Sequence, residues 1–267
     1  MGLDARDESH YRTRTRRGVT FHRSRAVVDG LALMVKRFPG VPENPERNYV
    51  LVHGLGVSSK YYELLAAELA QTANVWLVDL PGYGHSPIPH RDVSIADHAQ
   101  VLGRVIEAAD ASRPILVGHS MGCQVVTELA VAFPEITDDV ILLSPVINAE
   151  RRTAWQAFRD LAHDALIEPW RGKVNGVYEY FFRGRTLYYL RQVPHMIDYR
   201  MEDRLPEVDA TTMVVVGDRD PIVPLPWAER VAAAARSGSL RVVPGSHVIM
   251  LSTPTRLAGL ITEQVDA

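Results

Sequence analysis

Residues 114–133 read PILVGHSMGCQVVTELAVAF. An apolar run, Ile115-Leu116-Val117, stops at Gly118, and Ser120 stands between Gly118 and Gly122. From Met121 to Phe133 the apolar residues recur at helical spacing, and Pro134 ends the pattern. The stretch spells a strand, a sharp turn and a helix, with a serine on the turn. Such a turn strains the serine backbone and exposes its hydroxyl, while the helix N-terminus brings partial positive charge to the same spot. Gly118 and Gly122 fit because only glycine lets neighbouring backbone come that close. Gly-x-Ser-x-Gly arises by chance in roughly one chain in ten of this size, so the rest of the chain has to decide.

The 267 residues are 46% hydrophobic and 23% charged, enough for a large core. The formal net charge of −3 gives no global field for nucleic acid or an anionic membrane. A single cysteine, Cys123, excludes an intramolecular disulfide framework and a Cys-based metal cluster. It reads as a small buried apolar residue. No run of 18 apolar residues is present, so no transmembrane helix is expected. Residues 1–18, MGLDARDESHYRTRTRRG, lack the apolar centre of a secretory signal. Six arginines and no acid lie between His10 and Arg25, which predicts a solvated, partly disordered basic tail over residues 1–24. A cytoplasmic protein is expected.

Outward from the serine, the pattern alternates. Strands are predicted at Arg25–Asp29, Leu31–Phe38, Tyr49–His53, Asn74–Asp79, Val140–Leu143, Thr212–Val216 and Leu240–Val243, besides Ile115–Val117. Helices are predicted over Ser59–Thr72, Ser94–Ala109 with Ser94 as N-cap, Trp227–Ala235 and Thr255–Val265. This is an α/β chain with a mostly parallel sheet. Residues 145–206 break the rhythm. They hold ten of the 20 aromatics: Trp155, Phe158, Trp170, Tyr178, Tyr180, Phe181, Phe182, Tyr188, Tyr189 and Tyr199. Because the segment falls between two central strands, it is expected to form a helical cap over the ligand edge of the sheet, with the core at 25–144 and 207–267.

A serine hydroxyl needs a base, and the base needs an orienting acid. Pro244-Gly245-Ser246-His247 lies between the last strand and the last helix, at the carboxyl edge where open α/β sheets bind ligands, so His247 is the candidate base. Val216-Gly217-Asp218-Arg219-Asp220-Pro221 offers two acids at another strand end. Asp220, stiffened by the following proline, is preferred, and Asp218 is expected to cap the turn. The oxyanion formed by attack needs two donors. Met121 N–H at the helix start is one. His53-Gly54-Leu55-Gly56, just after a buried strand, supplies the other, with Leu55 N–H ahead of Gly56. His53 has no clustered partner for a metal, so a bracing role is expected, and neither metal nor cofactor is expected.

Together these pieces resemble the α/β-hydrolase superfamily. The resemblance rests on His53-Gly54-Leu55-Gly56, Asp79-Leu80-Pro81-Gly82-Tyr83-Gly84-His85-Ser86, Gly118-His119-Ser120-Met121-Gly122, Gly217-x-x-Asp220 and His247. It covers nearly everything outside the N-terminal tail. It implies a central eight-stranded sheet flanked by helices, a helical cap inserted after the sixth strand, and a Ser120–Asp220–His247 triad. Within the superfamily, Ser120 argues against the dehalogenases and epoxide hydrolases, which carry aspartate at that position. Leu55 departs from the aromatic typical of cofactor-free haloperoxidases, and His119 and Met121 depart from the Gly-x-Ser-Trp-Gly elbow of proline iminopeptidases. The cap aromatics are interleaved with Arg183, Arg185, Arg191 and Arg200, which suits a medium-sized, partly polar small-molecule substrate better than a long acyl chain. The expectation is a carboxylesterase-like serine hydrolase acting through an acyl-enzyme. The alternatives are a carbon–carbon bond hydrolase of the meta-cleavage-product type, with an arginine on a substrate carboxylate, and a non-catalytic ligand-binding protein. A homodimer is compatible with this reading; nucleic acid and stable membrane association are not expected.

Overall fold

The computed structural model describes residues 20–40, 47–109, 113–148 and 185–266, and the backbone of 11–14. The strands are β1 (Tyr11–Arg14), β2 (Thr20–Val28), β3 (Leu31–Phe38), β4 (Asn48–Val52), β5 (Asn74–Asp79), β6 (Ile115–His119), β7 (Asp139–Leu143), β8 (Thr211–Gly217) and β9 (Gly238–Val243). They form one sheet in the order β1-β2-β3-β5-β4-β6-β7-β8-β9, antiparallel from β1 to β5 and parallel from β5 onward. The described α-helices are α1 (Glu63–Leu69), α2 (Ile95–Ala108), α3 (Met121–Ala132), α4 (Thr186–Asp198), α5 (Met201–Arg204), α6 (Leu225–Ala234), α7 (Ile249–Ser252) and α8 (Pro254–Val265).

The central strands are apolar throughout because both of their faces are covered. Side chains alternate across a strand, so Val50 and Val52 feed one core while Tyr49 and Leu51 feed the other. The first core packs α2, α3, α4 and α6 against Leu116, Leu142, Val214 and Val216. The second packs α1, α7 and α8 against Val117, Ile141, Met213 and Val215. Ser94 caps α2 as expected. Its hydroxyl accepts from Asp97 N–H at 3.1 Å, and the Asp97 carboxylate accepts from Ser94 N–H at 2.9 Å.

The N-terminal tail needs correction. Residues 20–24 belong to β2, and Tyr11–Arg14 adds β1, a ninth strand at the sheet edge. Arginine density there does not oppose a strand, because charged side chains suit an exposed sheet edge. Residues 1–10 and 15–19 lie outside the described residues, as does 149–184 of the expected cap. Counted from β2, β7 is the sixth strand, so the expected insertion does follow the sixth strand of the core.

β4 is the switch point of the sheet. The chain passes from β4 to β5 on one side and then to β6 on the other. A crevice opens at the carboxyl ends of strands where the order reverses in this way. The loop after β4 and the turn after β6 therefore meet. A Cβ at position 122 would lie 2.2 Å from Val52 O, which is backbone and cannot give way. Gly122→Ala is expected to cost about 1–3 kcal/mol by overpacking. A urea midpoint lowered at unchanged slope would show it, and an unaltered midpoint would contradict so close an approach.

Candidate active site

Ser120 sits between β6 and α3 with φ 55° and ψ −120°. A non-glycine residue there carries about 1–3 kcal/mol of strain, held by the surrounding structure. Its N–H donates to Leu143 O on β7 at 3.0 Å. Met121 occupies the first helical position, whose N–H has no acceptor within the helix. The loop after β4 abuts the serine: a Cβ on Gly54 would lie 2.9 Å from Ser120 Cβ and 3.3 Å from Oγ. Gly54, one residue before Leu55, and Met121 thus adjoin Ser120 from two adjacent strand ends.

The other two predicted residues meet at the ends of β8 and β9, where His247 packs on His119, the residue before Ser120. Asp220 follows β8 and His247 follows β9. His247 Nδ1 is 3.0 Å from Asp220 Oδ2, with both side chains almost wholly shielded. The carboxylate can only accept, so Nδ1 carries the proton and Nε2 is the basic nitrogen. Asp220 Oδ1 accepts from Ile222 N–H at 2.9 Å and Val223 N–H at 3.0 Å. Burial works to raise its pKa, but the charge and hydrogen bond of His247, with the Val223 N–H, hold it below the ordinary carboxylate range. Asp218 is exposed and accepts from Gly245 N–H at 2.9 Å, which pins the loop bearing His247. The two aspartates therefore divide the work, one on the imidazole and one on its loop.

His53 braces the turn as expected. Its ring is fully buried. Leu80 N–H donates to Nε2 at 3.1 Å, so Nδ1 carries the proton and donates to Gly54 O at 2.8 Å. Burial lowers its pKa and keeps it neutral. Both nitrogens are spent on backbone. Among the described residues no group of three or more His, Cys, Asp or Glu side chains is placed to hold a metal ion.

The Asp79 carboxylate organises this corner, a role the sequence reading did not assign. It accepts from Ser59 N–H at 2.8 Å and His85 N–H at 2.9 Å, and His85 Nδ1 lies 3.2 Å away. Burial would raise its pKa. The His85 hydrogen bond, the Lys36 charge and the Ser59 N–H prevail and push it far below the usual range. A depressed folded-state pKa adds stability above the unfolded value of about 3.9 and loses it as pH falls below that. Asp79→Asn is expected to cost about 2–4 kcal/mol at pH 7. It should also flatten the fall in stability between about pH 4 and pH 2. Denaturant titrations at several pH values check both, and an unchanged acid slope would contradict this role.

The described end of the expected cap docks on the same corner. Arg185 donates to Gly82 O at 2.6 Å and Ser86 O at 2.7 Å, and Tyr188 OH donates to Pro81 O at 2.8 Å. Tyr83 is buried among Tyr188, Tyr189, His53 and His98, and its OH points at Met121 Sδ, 3.7 Å away. Arg185 is therefore committed to loop carbonyls and Arg200 to Asp203, at 2.6 Å, rather than to a substrate carboxylate. Arg191 is exposed, and Arg183 lies outside the described residues. A buried pair joins α2 to α4: His98 Nε2 meets Gln192 Oε1 at 3.1 Å. Position 98 follows Ile95 by three on the apolar face of α2, which was the available hint.

With this geometry in place, comparison with known proteins bears on the chain. A profile described as the alpha/beta hydrolase family matches residues 49–260. The chain belongs to the alpha/beta hydrolase family. An uncharacterized protein of Mycobacterium tuberculosis is 37% identical over 95 residues, 36% of this chain and 28% of that protein. RutD of Escherichia coli, whose name proposes a carbamate hydrolase, is 32% identical over 124 residues, 45% of this chain and 47% of that one. The matched stretches thus span between about a quarter and a half of these relatives' length. Among solved structures, the carbazole-degradation serine hydrolase CarC aligns with a TM-score of 0.78 at 17% identity, covering 92% of this chain and 99% of CarC. A bacterial membrane phospholipase A aligns with a TM-score of 0.77 at 21% identity, covering 92% and 86%. At such identities these two likenesses speak to the fold alone. No helix among the described residues is long and apolar enough to cross a membrane.

Proposed function

We propose that this hydrolase cleaves carboxylic esters of small or medium-sized substrates through an acyl-enzyme on Ser120. The observation that carries the reading is the 3.0 Å pairing of His247 with buried Asp220, on loops that converge on a serine held at φ 55°. Ser120 Oγ attacks the ester carbonyl as His247 Nε2 takes its proton. Asp220 keeps the imidazole in the Nδ1–H form and stabilises the cation. Leu55 and Met121 N–H hold the oxyanion. His247 gives its proton to the departing alcohol. It then draws a proton from water as that water attacks the acyl-enzyme, and returns the proton to Ser120 Oγ as the acid is released.

Relatives named as a carbamate hydrolase, a thioesterase domain and a meta-cleavage product hydrolase define the competing bonds. The test is parallel turnover of p-nitrophenyl esters from acetate to laurate, an acyl thioester, an aryl carbamate and a coloured dienoate. The expected result is greatest kcat/KM on a short or medium ester. Dienoate turnover without ester turnover would replace this reading with carbon–carbon cleavage. Binding of esters without turnover would favour the non-catalytic reading.

A further inference from the structure

We infer that His119 is a positioning residue that sets the place of His247 relative to Ser120 through a hydrogen bond to the His247 backbone. The inference rests on the serine-hydrolase reading above. His119 is the last residue of β6 and is bonded directly to Ser120. Its Nε2 lies 3.1 Å from His247 O, 128 residues further along the chain. A carbonyl only accepts, so His119 holds its proton on Nε2 and donates it. The two imidazoles pack with centroids 4.8 Å apart, tilted by 51°.

His247 therefore has two anchors. Asp220 holds its side chain, which fixes rotation and tautomer. His119 holds its main chain, which fixes how far the ring stands from the serine. Asp218 secures the same loop two residues earlier, at Gly245 N–H, but from the β8 side. The His119 bond ties the base to the strand that carries the nucleophile.

The chemistry also requires a neutral His119. When His247 takes the serine proton it becomes a cation, and a second cation at ring-contact distance would oppose that step. His119 is buried, and burial together with the adjoining His247 charge pulls its pKa down to about 3. The titratable groups facing it are His247 and Asp220, with the neutral His53 further off. It thus stays a neutral donor at neutral pH, a task that neither lysine nor arginine could perform.

The test separates the donor from the ring. His119→Phe keeps a flat ring and loses the donor; His119→Gln keeps an N–H at the reach of Nε2; His119→Asn keeps polarity but falls short. On a short p-nitrophenyl ester, Phe and Asn are expected to lower kcat about 10- to 100-fold with KM held within about twofold, and Gln to restore kcat to within about threefold. Rates of fluorophosphonate labelling of Ser120 should fall in the same order. Asn serves where Phe fails to fold. A folded Phe or Asn variant with wild-type kcat, or a Gln variant as slow as Asn, overturns the inference and leaves the hydrolase reading intact. A wild-type protein that neither turns over esters nor takes the label overturns both.

Discussion

Replacing Ser120 by alanine is expected to lower kcat for a short p-nitrophenyl ester by about 10⁴- to 10⁶-fold, with the fold and melting temperature kept or improved. The size follows from the chemistry. Without Oγ no acyl-enzyme forms, and what remains is the contribution of substrate binding and the oxyanion donors, about 10³- to 10⁴-fold over water. The sign of the stability change follows from the backbone. Ser120 is held at φ 55° because the elbow needs it there, and its hydroxyl makes no cap for α3. Removing the hydroxyl takes away no cap, and alanine is no worse placed than serine at that dihedral. A Ser120→Ala protein with intact fold and near-wild-type turnover would place the nucleophile elsewhere. Steady-state assay and circular dichroism of the same preparation decide between these results.

The second large effect separates the two aspartates on the loop after β8. Asp220→Asn is expected to lower kcat about 10³- to 10⁴-fold. An asparagine in place of the carboxylate cannot stabilise the imidazolium. Its amide can also turn its NH₂ toward His247 and favour the wrong tautomer. The Ile222 and Val223 N–H bonds still have an amide oxygen to meet, so the loop should keep its shape. Asp218→Asn is expected to cost less than about 10-fold, because an amide oxygen can still accept from Gly245 N–H and Asp218 does not reach the imidazole. Measured side by side, the larger loss should fall at position 220. The reverse order would exchange the roles assigned here.

The elbow was legible because two periodicities change over at a single glycine, from an apolar strand to a helix, and chemistry stands at the junction. Asp220 could be told from Asp218 by the proline that stiffens the turn, and the structure puts them on different partners. Ser94 announced its helix because a cap is a local device, closed within three residues by Asp97. What sequence reading missed is non-local. Asp79 gathers the N–H groups of Ser59 and His85, and nothing at position 79 tells that Ser59 will be near. His119 appeared only as a departure from another family's elbow, since its partner is the carbonyl of a residue on a different strand end. His98 looked like any helical position until Gln192 arrived from α4. Composition alone makes the arginine-rich N-terminus look like a tail, but pairing with β2 satisfies the backbone of Tyr11–Arg14 whatever its side chains are. The commitment of Arg185 to Gly82 O and Ser86 O, rather than to a substrate, is likewise a tertiary fact.

The central claim is that Ser120, primed by His247 and Asp220, is the nucleophile. The most direct measurement is the mass of the intact protein after exposure to a fluorophosphonate, followed by mapping of the modified peptide. One adduct per chain on Ser120 is expected, abolished in Ser120→Ala and strongly slowed in His247→Ala. No adduct, or an adduct on another residue that persists in Ser120→Ala, would contradict it.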